Sequence, residues 1–542
     1  MADSAPALQL KAEGNSLFAS GDHYSAWLKY GQAISHDDQN AILYANRAAA
    51  LIHLGMFPEA KSDAQKGLRE YEKSAGYFKK AIASMPTRKE DLTAAILKQK
   101  EQWEVEMKTA QDHAAKLSAE IREMGGRWPA DRAKAMKQEL QARLPESASS
   151  SAWVLLRASE FWDRGIFSLA QFRKRPTIRG IEMLICNDVV ACLTNAILID
   201  DRVFDVRTPQ MPVIDKWPLQ VAMEEEATGA WNDDVPAHEV KREALIRQQQ
   251  GGWDSVRRSI DTTIRIRIMR GYLATRTQKG PQEALTHYNA ALELLEWGRT
   301  GPWKDVPRED KGEIFEIHWV RGLRKLRLAA MRDACRLGVD PTQEPLAPLL
   351  QVVYEEAQSI IREMPEIGQA AFPGGHQDYG DVRGFVSAFG VYPKAYALAT
   401  VGFYHEVMAY RTMENNAAAA LNHYSESQGA FNQAAMLFPR DDEQHIWYLH
   451  LALHSLEMCV VVRFRVALRI MEQLRLDLPD AKKIWEYPID TREAGHGKVM
   501  RQLIEKDLQL ERKMRQDIAD GKFTLNSLIP LKYFHEQMSS LG

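Results

Sequence analysis

The side chains that could carry chemistry fall in a few short clusters. Arg257, Arg258, Arg265, Arg267 and Arg270 form a basic group. Arg258 and Arg265 lie two helical turns apart, on one face if the stretch is a single helix. Such a group suits an acidic partner, but Glu224-Glu225-Glu226 and Asp233-Asp234 stand close upstream. Pairing within the chain is the simpler expectation, because it covers both sets of charge without a ligand. Phe172-Arg173-Lys174-Arg175, ahead of Pro176, reads as a solvated loop in preference to a nuclear signal or a phosphate contact. His376, Asp378 and Asp381 share a glycine-rich stretch with no further ligand at a metal-site spacing, so a polar connector is expected there. His405-Glu406 lacks the second histidine of a zincin helix, and neither a phosphate-cradling glycine loop nor a GxSxG elbow occurs. Without a converging nucleophile, base and oxyanion donors, neither an enzyme reaction nor a cofactor is expected.

Charge and cysteine usage narrow the classes further. Lys and Arg number 70 against 73 Asp and Glu, a net charge of -3, which suits neither a globally basic nucleic-acid binder nor an acidic disordered chain. With 45% apolar residues among 542, two to four domains can each have a core. Cys186, Cys192, Cys335 and Cys459 are scattered and form no CxxC, so reduced thiols in the cytoplasm, or alternatively the nucleus, are expected. Met1 to Leu10 lacks the basic region and apolar core of a secretory signal. The apolar stretch Ile181 to Ile199 holds Asn187, Asp188 and Asn195, and Leu449 to Met471 holds Arg463 and Arg465. Those groups are costly in hydrocarbon, so both stretches read as buried helices and no membrane span is expected.

The elements that position these side chains show a period. Gly21 and Gly55 are 34 residues apart, as are Ala26 and Ala60. Each block reads as two helices: Leu10, Leu17 and Phe18 line the first, a Gly21-Asp22 turn follows, and Ala26, Tyr30 and Ala33 line the second. Small residues let two antiparallel helices approach, and Tyr30 fills the adjoining gap. One such pair cannot bury its apolar face alone, so a stack is required.

This pattern resembles the tetratricopeptide-repeat family. Lys11-Ala12-Glu13-Gly14-Asn15 followed by Leu43-Tyr44-Ala45-Asn46-Arg47-Ala48-Ala49 is similar to the form found in chaperone adaptors. A third first helix is expected at Gly76 to Ala81, and after Pro86 a long polar helix with Leu92, Ile96, Trp103, Met107, Ala110, Leu117 and Ile121 at helical spacing. Gly125-Gly126 and Trp128-Pro129 end it. Pro145 to Ser151 reads as a flexible connector, Ala152 to Ile199 as helical, and the proline-containing stretch Asp200 to Glu239 as mostly loop, with room for a short helix. Repeat character returns at Gly280, Ala284, Tyr288 and Ala291, and again at Phe431, Ala434 and Pro439.

The expected fold is therefore an all-α solenoid of tetratricopeptide-like helical hairpins in two repeat-containing parts. Its expected divisions are 1–125, an irregular segment 126–255, a divergent array 256–480, and a last helix and tail 481–542. The resemblance implies a groove, lined by the first helix of each pair, that holds the acidic carboxyl-terminal peptide of heat-shock chaperones. Carried over by position, Lys11 and Lys79 would bind carboxylates while Asn15 and Asn46 orient the peptide's terminal backbone. Lys79 stands where the family usually has Arg, and Ala75 where a Lys is expected. The expected function is a protein-binding adaptor without membrane or nucleic-acid partners. The alternatives are a structural scaffold of a larger assembly, and an enzyme with its site within 152–255.

Overall fold

The computed structural model describes residues 5–53, 63–64, 66–67, 70–71, 79, 94–125, 129–171, 173–177, 180–184, 188–203, 212–276, 279–337, 346–364, 382–459, 461–485, 496–530 and 533. Among the described residues two compact units emerge, one on those up to Asp131 together with His496 and one on the rest from Arg132 onward. Apart from one two-stranded hairpin, the described elements are helices. No described helix is long and apolar enough to cross a membrane.

In the first unit, α1 (Ala5–Ala19) and α2 (His23–His36) form the first hairpin. Gly21 turns the chain at φ +86, a value that side chains with a Cβ rarely adopt. Asp22 then caps α2 by accepting from the Ser25 N–H at 3.0 Å. The hairpin closes where Gly14 meets Tyr30: a Cβ at Gly14 would lie 2.6 Å from the ring. Ala26, Tyr30 and Ala33 are buried as the period requires. Helix α3 (Ala41–His53) follows, burying Leu43, Tyr44 and Ala50. The long polar helix is α4 (Ala94–Gly125), with Ala110 buried and Val105 exposed. Gly55, Ala60, Leu92 and the third first helix, except Lys79, lie outside the described residues.

The second unit contains α5 (Pro129–Ala142, shared with the unit boundary), α6 (Ala152–Gln171), α7 (Val189–Ile199), α8 (Pro212–Thr228) and α9 (Ala237–Thr275). Beyond these come α10 (Gly280–Thr300), α11 (Ile317–Leu337), α12 (Leu346–Glu363), α13 (Tyr392–Thr412) and α14 (Ala417–Leu437). The series ends with α15 (Glu443–Glu457), α16 (Phe464–Trp485) and α17 (His496–Ala519). The glycine-against-aromatic contact recurs. A Cβ at Gly271 would lie 2.4 Å from Tyr288, and one at Gly402 would lie 2.7 Å from Phe431. Gly280 takes φ +81 at the turn, and Ala284, Tyr288 and Ala291 are buried. Phe431 and Ala434 are buried likewise, and α15 opens two residues after Asp441.

Three local expectations fail for identifiable reasons. The serine-rich connector is packed: Ser147 donates to the Leu140 carbonyl and accepts on its own carbonyl from the Trp153 indole at 2.9 Å. Asp441 takes the Ser150 hydroxyl and the Ser151 N–H, the latter at 2.7 Å, so one distant carboxylate satisfies the polarity that suggested solvent. Between α6 and α7 the chain forms an antiparallel hairpin, β1 (Arg173–Thr177) with β2 (Gly180–Leu184), so the basic run is a strand and not a loop. Pro176, opposite Ile181, has no N–H to continue a helix. Residues 212–228 of the proline-containing segment form the 17-residue α8, with Pro212 at its first position, where no intrahelical N–H bond is lost, and with Pro218 inside the helix. Helix α9 crosses the expected boundary at 255 and kinks at Gly252 (φ 69).

Candidate functional site

Helices α1 and α3 bring the two asparagines together. Asn15 Oδ1 accepts from Tyr30 Oη at 2.8 Å and from Asn46 Nδ2 at 3.1 Å. Tyr30 is buried, so its hydroxyl sets the amide from beneath, while Asn15 itself is exposed. With its oxygen so engaged, Asn15 keeps the Nδ2 amide as its donor end. Lys11 sits one helical turn before Asn15 on α1, on the same face and half-buried. Lys79 is exposed, and nothing among the described residues places it beside the other three. Lys73, Ala75 and Lys80 lie outside the described residues.

Neighbouring charges are committed elsewhere. Glu13 binds Lys29 at 2.7 Å and Gln9 at 3.2 Å, and the Lys29 hydrogen bond is the main reason its pKa is lowered. The residue after Asn46, Arg47, makes a two-pronged bond to Asp63: Nε to Oδ2 at 2.6 Å and Nη2 to Oδ1 at 2.7 Å. Burial opposes the charge on Arg47, and the Asp63 hydrogen bond and carboxylate charge together outweigh it, raising the arginine's pKa. This pair anchors the helix that carries Asn46 to the chain beyond it. The adjacent Asn46-Arg47 was visible in sequence; that Arg47 turns inward to Asp63 had no sequence signal.

The remaining candidates resolve within the second unit. Arg270 pairs with Asp233, Arg265 with Asp261 at 2.7 Å, and Arg257 with Asp254 at 2.8 Å. Only the first joins the basic group to the acidic segment. Glu224 instead accepts from the Val190 N–H at 3.0 Å and from Gln220 at 2.8 Å, capping α7 from another helix. Burial raises its pKa. His405 Nδ1 lies 2.9 Å from His423 Nδ1, and Glu406 lies 3.5 Å from His454. No group of metal-binding side chains occurs among the described residues, and His376, Asp378 and Asp381 are outside them.

No family model matches the chain. It is 38% identical over 78 residues to Protein STIP1 homolog of Dictyostelium discoideum, which is 14% of this chain and 14% of the relative. It is 36% identical over 62 residues to Inactive TPR repeat-containing thioredoxin TTL3 of Arabidopsis thaliana, 11% of this chain and 9% of the relative. The chain carries tetratricopeptide repeats. Human DnaJ homolog subfamily C member 7 is 44% identical over 59 residues, 11% of this chain and 12% of the relative. The chain thus matches only about a seventh or less of the length of these curated relatives. Among solved structures, the P58(IPK) TPR domain aligns over 95% of this chain and 99% of its own, at 11% identity and a TM-score of 0.15. Yeast Tom70 aligns over 92% and 99%, at 12% identity and a TM-score of 0.13. The tetratricopeptide assignment rests on the period, the Gly14–Tyr30 closure and the sequence matches.

Proposed function

We propose that the chain is a protein-binding adaptor, with no reaction of its own, whose first repeats hold an acidic carboxyl-terminal peptide. The observation that carries this reading is the Asn15–Asn46 hydrogen bond, which joins the first helices of two successive repeats. A ligand lying across α1 and α3 meets one fixed pair of amides, with Lys11 a turn away to meet a carboxylate. Lys79 supplies the second cation in this reading, from the third repeat. Relatives that share a short stretch with this chain and are named Hsp70-Hsp90 organizing proteins support a chaperone tail as the ligand, and a cytoplasmic location belongs to the same reading. A second reading, a scaffold contact with an internal helix, draws on Ala75 standing where the clamp pattern has a lysine.

The test is fluorescence anisotropy of a labelled peptide ending in Glu-Glu-Val-Asp, titrated with the full-length chain. Saturable binding that is lost on amidating the peptide's end and on Lys11→Ala supports the clamp. Binding indifferent to amidation moves the reading to the scaffold, and no binding by the folded chain retires the clamp.

A further inference from the structure

A cavity of about 300 Å³ opens in the second unit among α10, α11, α12 and the start of α13. Its walls include the buried Val320 and Ile360, and its polar groups are Arg299, Arg321, Arg324 and Glu363. Three arginines and one glutamate leave this lining with two positive charges in excess. Arg324 is fully engaged: Nε binds Glu356 at 2.8 Å, Nη1 binds Glu363 at 2.6 Å, and Nη2 binds Ser359 at 3.0 Å. Arg321 differs. Its Nη1 is buried and has no hydrogen-bond partner among the described residues. Burial, and after it the charge of Arg299, lower its pKa, so the two guanidinium groups feel one another. A buried donor without an acceptor costs about 1–3 kcal/mol. An oxyanion between the two arginines would remove both that cost and their repulsion.

We propose that this cavity binds a carboxylate carried on a short aliphatic stem, gripped by Arg321 and Arg299. The planar guanidinium matches a carboxylate, and the apolar wall of Val320 and Ile360 receives the stem. Glu363, held at the rim by Arg324, repels a second negative charge and disfavours a phosphate dianion. The volume, at the lower end for small-molecule pockets, admits a small carboxylic acid or a single acidic end of a larger molecule. Every residue involved belongs to the second unit, so this site stands or falls independently of the amino-terminal groove.

Isothermal titration of the full-length chain at constant ionic strength tests it with hexanoate, its neutral analogue hexanamide, and inorganic phosphate. Saturable hexanoate binding is expected, with hexanamide and phosphate weaker. Arg321→Gln and Arg299→Gln should each weaken hexanoate about 10-fold or more, the loss of one charge-assisted bond. If Arg321→Gln does not fold, as judged by circular dichroism, the half-buried Arg299 carries the test. Once the small ligand binds, a peptide ending in an aliphatic residue, free or amidated, tells a free acid from a chain terminus. No saturable hexanoate binding, hexanoate binding unchanged by Arg299→Gln, or tighter binding of phosphate overturns the proposal.

Discussion

Removing the Asn15 side chain tests the geometry of the first repeats most directly. Its Oδ1 serves two donors, Tyr30 Oη at 2.8 Å and Asn46 Nδ2 at 3.1 Å. In Asn15→Ala the Tyr30 hydroxyl, on a ring only 2% exposed, loses its acceptor, which costs about 1–3 kcal/mol. Asn46 is half-buried and can turn to water, so it adds less, about 0.5 kcal/mol. Adding Tyr30→Phe to Asn15→Ala removes the orphaned hydroxyl and should recover about 1–2 kcal/mol, a coupling expected only of residues in direct contact. Hydrogen exchange of peptides from residues 5–53 in the full-length chain reads this stability locally. Peptide affinity should separate from it: the double variant regains protection but still lacks the Asn15 amide, and should bind about 10-fold or more weakly. Wild-type protection in Asn15→Ala would refute the reasoning, as would a double variant no better protected than the single.

Three further outcomes follow from the second unit. Gly271→Ala places a Cβ 2.4 Å from Tyr288 and should cost about 1–3 kcal/mol in calorimetry, whereas Gly429→Ala, with nothing within 4 Å, should stabilise its helix by about 0.5–1 kcal/mol. Glu224→Ala uncovers the Val190 N–H at the start of α7 and should lower unfolding stability by about 1–2 kcal/mol; equal urea midpoints with unchanged slopes would count against the cap. Glu457 has its pKa pushed up to about 7 by burial, with the Asp507 charge adding to it. A carboxyl raised in the fold keeps a proton that the unfolded chain gives up, so the stability Glu457 contributes is fully present below pH 4.5 and is lost as pH rises through about 7. The full shift is worth about 3 kcal/mol, which partial exposure reduces to about 1–2 kcal/mol. His454, raised mainly by its Glu406 hydrogen bond, also loses its contribution as pH rises, whereas His405, lowered by burial and His423, acts oppositely. Glu457→Gln isolates the carboxyl: its melting temperature should exceed the wild type's at pH 8 and match it near pH 4, and equal temperatures at pH 8 would refute the assignment.

The amino-terminal hairpins were legible because their packing rule is local and periodic. Ala26, Tyr30 and Ala33 lie at helical spacing on the second helix, and a small residue facing a ring, as Gly14 faces Tyr30, is needed wherever two helices close tightly. The same rule found Gly280, Ala284 and Tyr288 far along the chain. Lys11, Asn15 and Asn46 could be named from motif position, but their residue types alone fit a solvated surface equally well.

The repeat is written along the chain: which residues are small, which are large, and the period that sets one against the other. Tertiary structure alone decided where polar groups find their partners. Ser150 and Ser151 look like a linker until Asp441 arrives from nearly 300 residues away. The acidic segment looks like a loop until Glu224 meets the Val190 N–H. Asn15 is one amide among many until Tyr30 and Asn46 both donate to it. The physical reason is range. Apolar burial is non-directional and leaves a periodic trace along the chain, whereas a hydrogen bond needs two atoms within about 3 Å and is indifferent to how far apart they lie in sequence.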